Sequence, residues 1–381
     1  MPGDSATNRV NTVGIVIALL LFSCLLLPAL AQSNSNADRS LCMKRMWDIS
    51  KSLIKFEDTT TTFPIASTQP FDHKPGSLED KTVAGYSWLV RITPFLDAES
   101  TYWDGLTWHS KRLTVPPFAP ALKTIVDKQE VHPATHSFTE FLCPSYDGGR
   151  HVPKENSDYK SVAGQMPAVA NYHAFAGSHF INREGIGEFP PVVMNNQLSF
   201  NGDGVIPFPG RNAKPPYRRG MRMSQVVDGA AHTLVFAESL EREYSAFIDG
   251  QAMWLVAAWP GNVQIPSLKP DESLPANPVL SWDRAAKKHV RASIALQEAD
   301  GSTTTYLDDE RWSGSRDRRW GPSSNHSGIV AHGFADGRVV MLSTDIDAEV
   351  YLHMATHNGR EILPDSIADK LIHGYIPPDS P

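Results

Sequence analysis

The sequence predicts an α+β fold: a hydrophobic N-terminal helix and a helical spine packed on an antiparallel β-sheet, with long loop-rich insertions. Three observations predict it. Cys42, Met46, Ile49, Leu53 and Phe56 recur at spacings of four, three, four and three, which is one apolar stripe with the helical period. Asp336-Gly337 sits between two β-prone runs, the pattern of a tight hairpin. The chain also holds 29 prolines against 26 glycines, which implies many turns and few long helices.

Taken in order, the first element is an apolar segment. Residues 10–37 carry no charge, and Thr12 to Ala31 is a mostly apolar run. As a helix it would be about 30 Å long, roughly a bilayer core. Arg9 before it places residues 1–11 in the cytoplasm by the positive-inside bias. Two main readings fit. Residues 12–31 are either a transmembrane anchor or a secretory signal cut after Ala29-Leu30-Ala31. A lipobox at Leu21–Cys24 is a third, weaker match, because apolar and small residues continue beyond Cys24. The localisation that follows is the cell membrane with an extracytoplasmic domain, or a periplasmic or secreted chain after cleavage.

Next comes the striped helix. Lys44, Arg45, Asp48, Lys51 and Lys55 occupy its other faces, and Thr59–Thr62 with Pro64 end it. Tyr86–Leu96 follows as an aromatic segment expected to pack on that helix. Residues 145–222, rich in Gly, Pro and Asn, read as loops and short strands inserted on the core. Ser224–Gly229 reads as a turn that includes Asp228 and Gly229, and Thr233–Glu238 as a strand. Residues 260–320 are again polar and Pro-rich. The last hairpin is then expected to run as a strand over 327–335, a two-residue turn at Asp336-Gly337, and a return strand with Ala335 opposite Arg338. Residues 38–364 thus form the extracytoplasmic domain and 365–381 a surface tail.

Composition bounds the function. Hydrophobic residues make up 41% of the 381, enough for a folded domain beyond the apolar segment. A net charge of -7 argues against nucleic acid as a partner. Of three cysteines, Cys24 lies in the apolar segment, leaving Cys42 and Cys143 as an even pair in an exported chain. Export favours a disulfide between them, which on the chain-entropy account contributes about 4–5 kcal/mol; the alternative reading is two buried free thiols.

Several of these segments carry a resemblance. His326, nine residues, then Asp336-Gly337 resembles the H-x9-DG motif of a bacterial prepilin-like family of unknown function, abundant in planctomycetes and also called solute-binding protein family 10. Leu25–Ala29 resembles its Leu-Leu-Leu-Pro-Ala segment, and Cys42 keeps the family's spacing from Pro28. Phe141–Ser145 resembles its Cys-Pro-Ser segment, Tyr86–Leu96 its Ser-Trp-Leu helix, and Asp228-Gly229 with Glu238 its Thr-Asp-Gly…Glu segment. The family's Gly-Phe-Thr-x-x-Glu cleavage site aligns with Ala6–Asn11, where Ala6 replaces the Gly and Asn11 the Glu. The resemblance implies a pseudopilin-like spine, with His326, Asp336, Gly337, Asp228, Gly229 and Glu238 as motif residues.

Chemical signatures are sparse. His132/His136 and His353/His357 are four apart, but Pro133 breaks the first pair and no Glu completes the second as a zinc-protease motif. Asp300, Asp308, Asp309 and Glu310 read as a solvated acidic loop rather than a calcium site. No phosphate loop, nucleophile elbow or dinucleotide fingerprint occurs. No metal, cofactor or catalytic residue is therefore assigned. The expected function is a non-enzymatic pseudopilin-like envelope protein, in secretion or surface assembly, held to the membrane through residues 12–31. The alternatives are a solute- or carbohydrate-binding module using Trp254, Trp259, Trp282, Trp312 and Trp320, or a secreted hydrolase of unrecognised type. His326 is expected to fix the start of its strand and Asp336 its turn, with no joint chemistry.

Overall fold

A computed structural model describes residues 36–70, 85–96, 115–154, 159–179, 198–209, 220–241, 245–258, 322–326, 328–343 and 348–358, with short pieces between them. The apolar segment at 12–31, the acidic residues Asp300, Asp308, Asp309 and Glu310, Trp259, Trp312, Trp320 and the tail lie outside the described residues. Among the described residues no helix is long and apolar enough to cross a membrane.

Helix α1 covers 36–60. The predicted stripe is its buried face: Cys42, Met46, Ile49, Leu53 and Phe56 are all in the core. The helix ends where the threonines begin. Thr59 and Thr60 turn their hydroxyls back onto the carbonyls of Lys55 and Phe56, at 2.8 and 2.9 Å. Thr61 then takes a left-handed conformation, φ +62, while its N–H still donates to Glu57 O at 2.7 Å. That is an αL C-terminal cap made without glycine.

The core sheet has five strands: β1 (Tyr172–His179), β2 (Leu234–Glu238), β3 (Trp254–Ala258), β4 (Ile329–Phe334) and β5 (Val339–Ser343). Their order is β3-β1-β2-β4-β5. An antiparallel sheet was expected. The sheet is mixed, because β3 pairs parallel to β1 while the other neighbours are antiparallel. The chain passes through β2 between β1 and β3, so β3 returns to the free edge of β1 by a crossover rather than a hairpin. A second difference concerns β1, which lies inside the stretch read as loops and short strands. It is the second strand of the sheet and is buried from Tyr172 to Gly177.

Helices pack on both faces of the sheet. On one, Tyr172, Ala174, Phe236, Ala331 and Val339 share a hydrophobic cluster with the stripe of α1. On the other, Phe175, Ala237, Val330, Phe334 and Leu342 pack with Tyr351, Met354 and Ala355 of a C-terminal helix, Ala348–Ala355. The aromatic segment divides between α1 and the sheet. Phe95 meets Phe56 of α1 edge-on at 5.9 Å, and Arg91 lies over the same ring. Trp88 instead reaches the sheet, 5.5 Å from Phe236. Trp254 is core as well: its indole N–H donates to Gln251 O at 2.8 Å and its ring meets Phe208.

The final hairpin corrects the expected register. Gly333 pairs with Val339, Phe334 N–H donates to Arg338 O at 2.9 Å, and Gly337 N–H donates to Phe334 O at 3.0 Å. The loop therefore has three residues, Ala335-Asp336-Gly337, and Ala335 does not face Arg338. Only Gly337 needs a positive φ, +92, as in a turn closed by a left-handed glycine. Asp336 contributes its carboxylate instead, accepting from Arg338 N at 3.1 Å and Arg338 Nε at 2.6 Å. The strand starts at Ile329 rather than at residue 327, just after Gly328 at φ +71. The tip is held by the other Asp-Gly turn. Asp336 N–H donates to Ala230 O at 3.1 Å, Ala335 N–H to Thr233 O at 2.9 Å, and Arg338 to Ala231 O. Asp228 itself accepts from Thr356 Oγ1 at 3.2 Å.

Two stability predictions follow from these contacts. A Cβ on Gly337 would meet Ile54 of α1 at 3.2 Å in a backbone conformation that β-branched residues resist. Gly337→Val is expected to cost about 2 kcal/mol in urea denaturation, and Gly337→Asn clearly less; equal losses would contradict the account. The second involves His332, buried between Val330 O (Nδ1, 2.9 Å) and Tyr351 OH (Nε2, 2.6 Å). Burial lowers its pKa to about 3. The unfolded chain then takes a proton that the folded chain refuses, so stability is complete above about pH 6.5 and falls as pH drops toward 3. Between about pH 4 and pH 6, His332→Gln should lose less stability per pH unit than the unmodified protein, by up to roughly 1.4 kcal/mol. Parallel pH dependences would refute this.

Candidate functional site

Four buried side chains from four separate segments meet under the N-terminal half of α1. Cys42, Cys143, Glu238 and His326 each present one donor atom, and these atoms all lie within 4.8 Å of one another. Cys42 Sγ is 3.7 Å from Glu238 Oε2, and Cys143 Sγ is 3.6 Å from His326 Nε2. Cys42 and Glu238 have no exposure, while Cys143 and His326 keep 3% and 5%.

Each donor is placed by the fold. Cys42 is the first residue of the apolar stripe of α1. Glu238 is the last residue of β2, where Tyr172↔Glu238 is the terminal pair with β1. Tyr172 sends its hydroxyl to within 3.7 Å of Cys42 Sγ. Cys143 follows a 3-10 turn at Thr139–Phe141, and Arg45 of α1 donates to the adjacent Leu142 O at 2.6 Å. His326 lies just before β4, its N–H bound by Ser324 Oγ at 3.0 Å.

One buried amide fixes two of these positions together. Asn171 Oδ1 accepts from Cys143 N at 3.0 Å, and its Nδ2 donates to Ser239 O, next to Glu238, at 3.3 Å. Ser323 Oγ accepts from Leu240 N at 2.8 Å, tying the His326 segment to the end of β2. Ser145 Oγ sits 3.0 Å from Cys143 Sγ and 3.4 Å from His326 Nε2.

The electrostatics are those of too many acids in one dry place. Burial, then the nearby Cys143, pushes the Glu238 carboxyl well above its usual range. Hydrogen bonding to Cys143, together with burial, does the same to the Cys42 thiol. Burial also opposes ionisation of Cys143, but the hydrogen bonds from Cys42 and His326 outweigh it and bring that thiol well below its ordinary value. Glu238 Oε1 is buried without a hydrogen-bond partner. The donor set of two sulfurs, one imidazole nitrogen and one carboxylate oxygen is one that borderline-soft metals accept.

The sequence singled out all four residues but not their convergence. The expected Cys42–Cys143 disulfide is not formed: both cysteines are free and buried, facing a carboxylate and an imidazole rather than bonded to each other. His326 does stand at the start of its strand, yet its ring points into this cluster. Asp336 is spent on Arg338 and the hairpin tip, at the other end of β4. The paired histidines do local work. His132 Nδ1 accepts from Ala134 N at 3.2 Å as a helix cap, His136 meets Phe138 edge-on and packs at a tilt beside Tyr102, and His357 bonds Asp203 O.

Compared with known proteins, residues 36–349 match the model of a family described as "Protein of unknown function (DUF1559)". No curated protein and no solved structure matches the chain.

Proposed function

We propose that this chain, which belongs to the DUF1559 family of unknown function, is a non-enzymatic, pseudopilin-like envelope protein, anchored through residues 12–31 with its folded domain outside the cytoplasm. The observation that carries the reading is the way α1 is used. Its apolar face is buried against the sheet from Cys42 to Phe56, and the helix begins only a few residues beyond the apolar segment. A helix that leaves a membrane and becomes the backbone of a small sheet domain transmits position and load, not substrate.

The convergent polar cluster supports the same reading. A Cys143 thiol beside His326 is the pairing of a cysteine nucleophile and its base, but a nucleophile must be reachable. Here Cys143 as a residue keeps 3% exposure, and its sulfur faces Cys42 and Glu238. A cluster sealed in this way holds elements together. A carbohydrate-binding role loses support at Trp254, whose ring is packed against Phe208 inside the core.

Cell fractionation with N-terminal sequencing of the mature chain tests the proposal. The expected result is a chain in the membrane fraction whose N-terminus precedes Thr12. A soluble mature chain that starts at Gln32 would contradict the anchor.

A further inference from the structure

We propose that Cys42, Cys143, Glu238 and His326 form a structural zinc site, with Cys42 Sγ, Cys143 Sγ, Glu238 Oε and His326 Nε2 as a closed tetrahedral set. The inference stands apart from where the protein resides and from any role in assembly.

Geometry is the first support. A tetrahedral zinc with sulfur at about 2.3 Å and nitrogen or oxygen at about 2.0–2.2 Å places its sulfur and nitrogen or oxygen ligands about 3.6 Å apart. The observed Cys143–His326 and Cys42–Glu238 separations are 3.6 and 3.7 Å. All remaining pairs fall within the same 4.8 Å limit. Two cysteine sulfurs and two harder donors match a borderline-soft ion better than calcium or magnesium, which take oxygen. Four protein donors leave no open position, the mark of a structural rather than a catalytic site.

An orphaned polar atom is the second support. Glu238 has no exposure and its Oε1 has no hydrogen-bond partner, a costly arrangement for a buried polar atom. Bound zinc offsets that cost directly. The surroundings fit the requirement that ligands be oriented by outer groups. Tyr172 OH reaches Cys42 Sγ, Ser145 Oγ reaches Cys143 Sγ, and Asn171 fixes the backbone beside Cys143 and Glu238. On binding, whatever protons Cys42, Cys143 and Glu238 still carry pass to solvent, and no redox change occurs.

The test uses the full-length chain, purified in detergent, reduced and reconstituted with zinc chloride under anaerobic conditions, then freed of excess metal. Elemental analysis should find one zinc per chain, and zinc-edge X-ray absorption should show two sulfurs at about 2.3 Å with nitrogen or oxygen at about 2.0–2.1 Å. Dipicolinate should remove the metal and lower the melting temperature. His326→Gln and Glu238→Gln should lose stoichiometric zinc. Because those variants risk misfolding, Tyr172→Phe serves as the mild case: it should keep the metal with an affinity roughly tenfold weaker. A reduced, folded protein that stays metal-free would overturn the proposal. So would bound zinc without sulfur neighbours, or a Tyr172→Phe affinity equal to that of the unmodified chain.

Discussion

A carboxylate removed from water must find hydrogen bonds, a counter-charge or a metal, because its desolvation alone costs several kcal/mol. Glu238 sits at the closed end of β2 under α1, with no exposure. Around it the fold gathers two thiols, an imidazole, a phenol and several hydroxyls. The arrangement of the rest of the domain follows from keeping these groups together. Helix α1 supplies Cys42, the turn after the 3-10 helix supplies Cys143, β1 supplies Tyr172, and the segment before β4 supplies His326. Loss of any one donor would leave the others buried and incompletely partnered, a heavier penalty than loss of an exposed contact.

The helix is thus held at two places. Near its start, the cluster joins Cys42 to the ends of β2 and β1. Twelve residues on, Ile54 lies against Gly337 at the hairpin tip. At 1.5 Å per residue these contacts are roughly 18 Å apart, close to the length of the six-residue strand β4. The apolar stripe fills the space between. The second Asp-Gly turn, at 228–229, holds the hairpin tip from beneath through Ala230 and Thr233. The motif residues therefore fall into two groups, one at each end of β4. His326 and Glu238 belong to the buried cluster, and Asp336, Gly337, Asp228 and Gly229 to the tip.

Local physics was legible in the sequence, and convergence was not. The stripe of α1 was readable because burial on one side of a helix imposes a period of 3.6 residues. The hairpin was readable from Asp-Gly, although its loop length depends on which residue takes the positive φ. Strand β1 was hidden: Tyr-His-Ala-Phe-Ala-Gly-Ser-His is poor in β-branched residues and lies among glycines and prolines. Its neighbours on both edges and helices on both faces, rather than its own propensity, make it a strand. The parallel pairing of β3 with β1 depends on the whole sheet and leaves no local mark. Cys42, Cys143, Glu238 and His326 each stood out singly, but they come from four segments that only the folded sheet brings together. Counting cysteines suggested a bond between the two; the carboxylate and imidazole beside them change what the pair is for.

Helix α1 and the core sheet form one cooperative unit because the cluster ties them together. Native-state hydrogen exchange tests it most directly, since it reads the opening free energy of each element separately. Amides of α1 from Cys42 to Phe56 are expected to open together with those of β2 and β4, and Glu238→Ala to lower the protection of all three in step. Exchange of α1 ahead of the sheet, with its protection untouched by Glu238→Ala, would contradict the account.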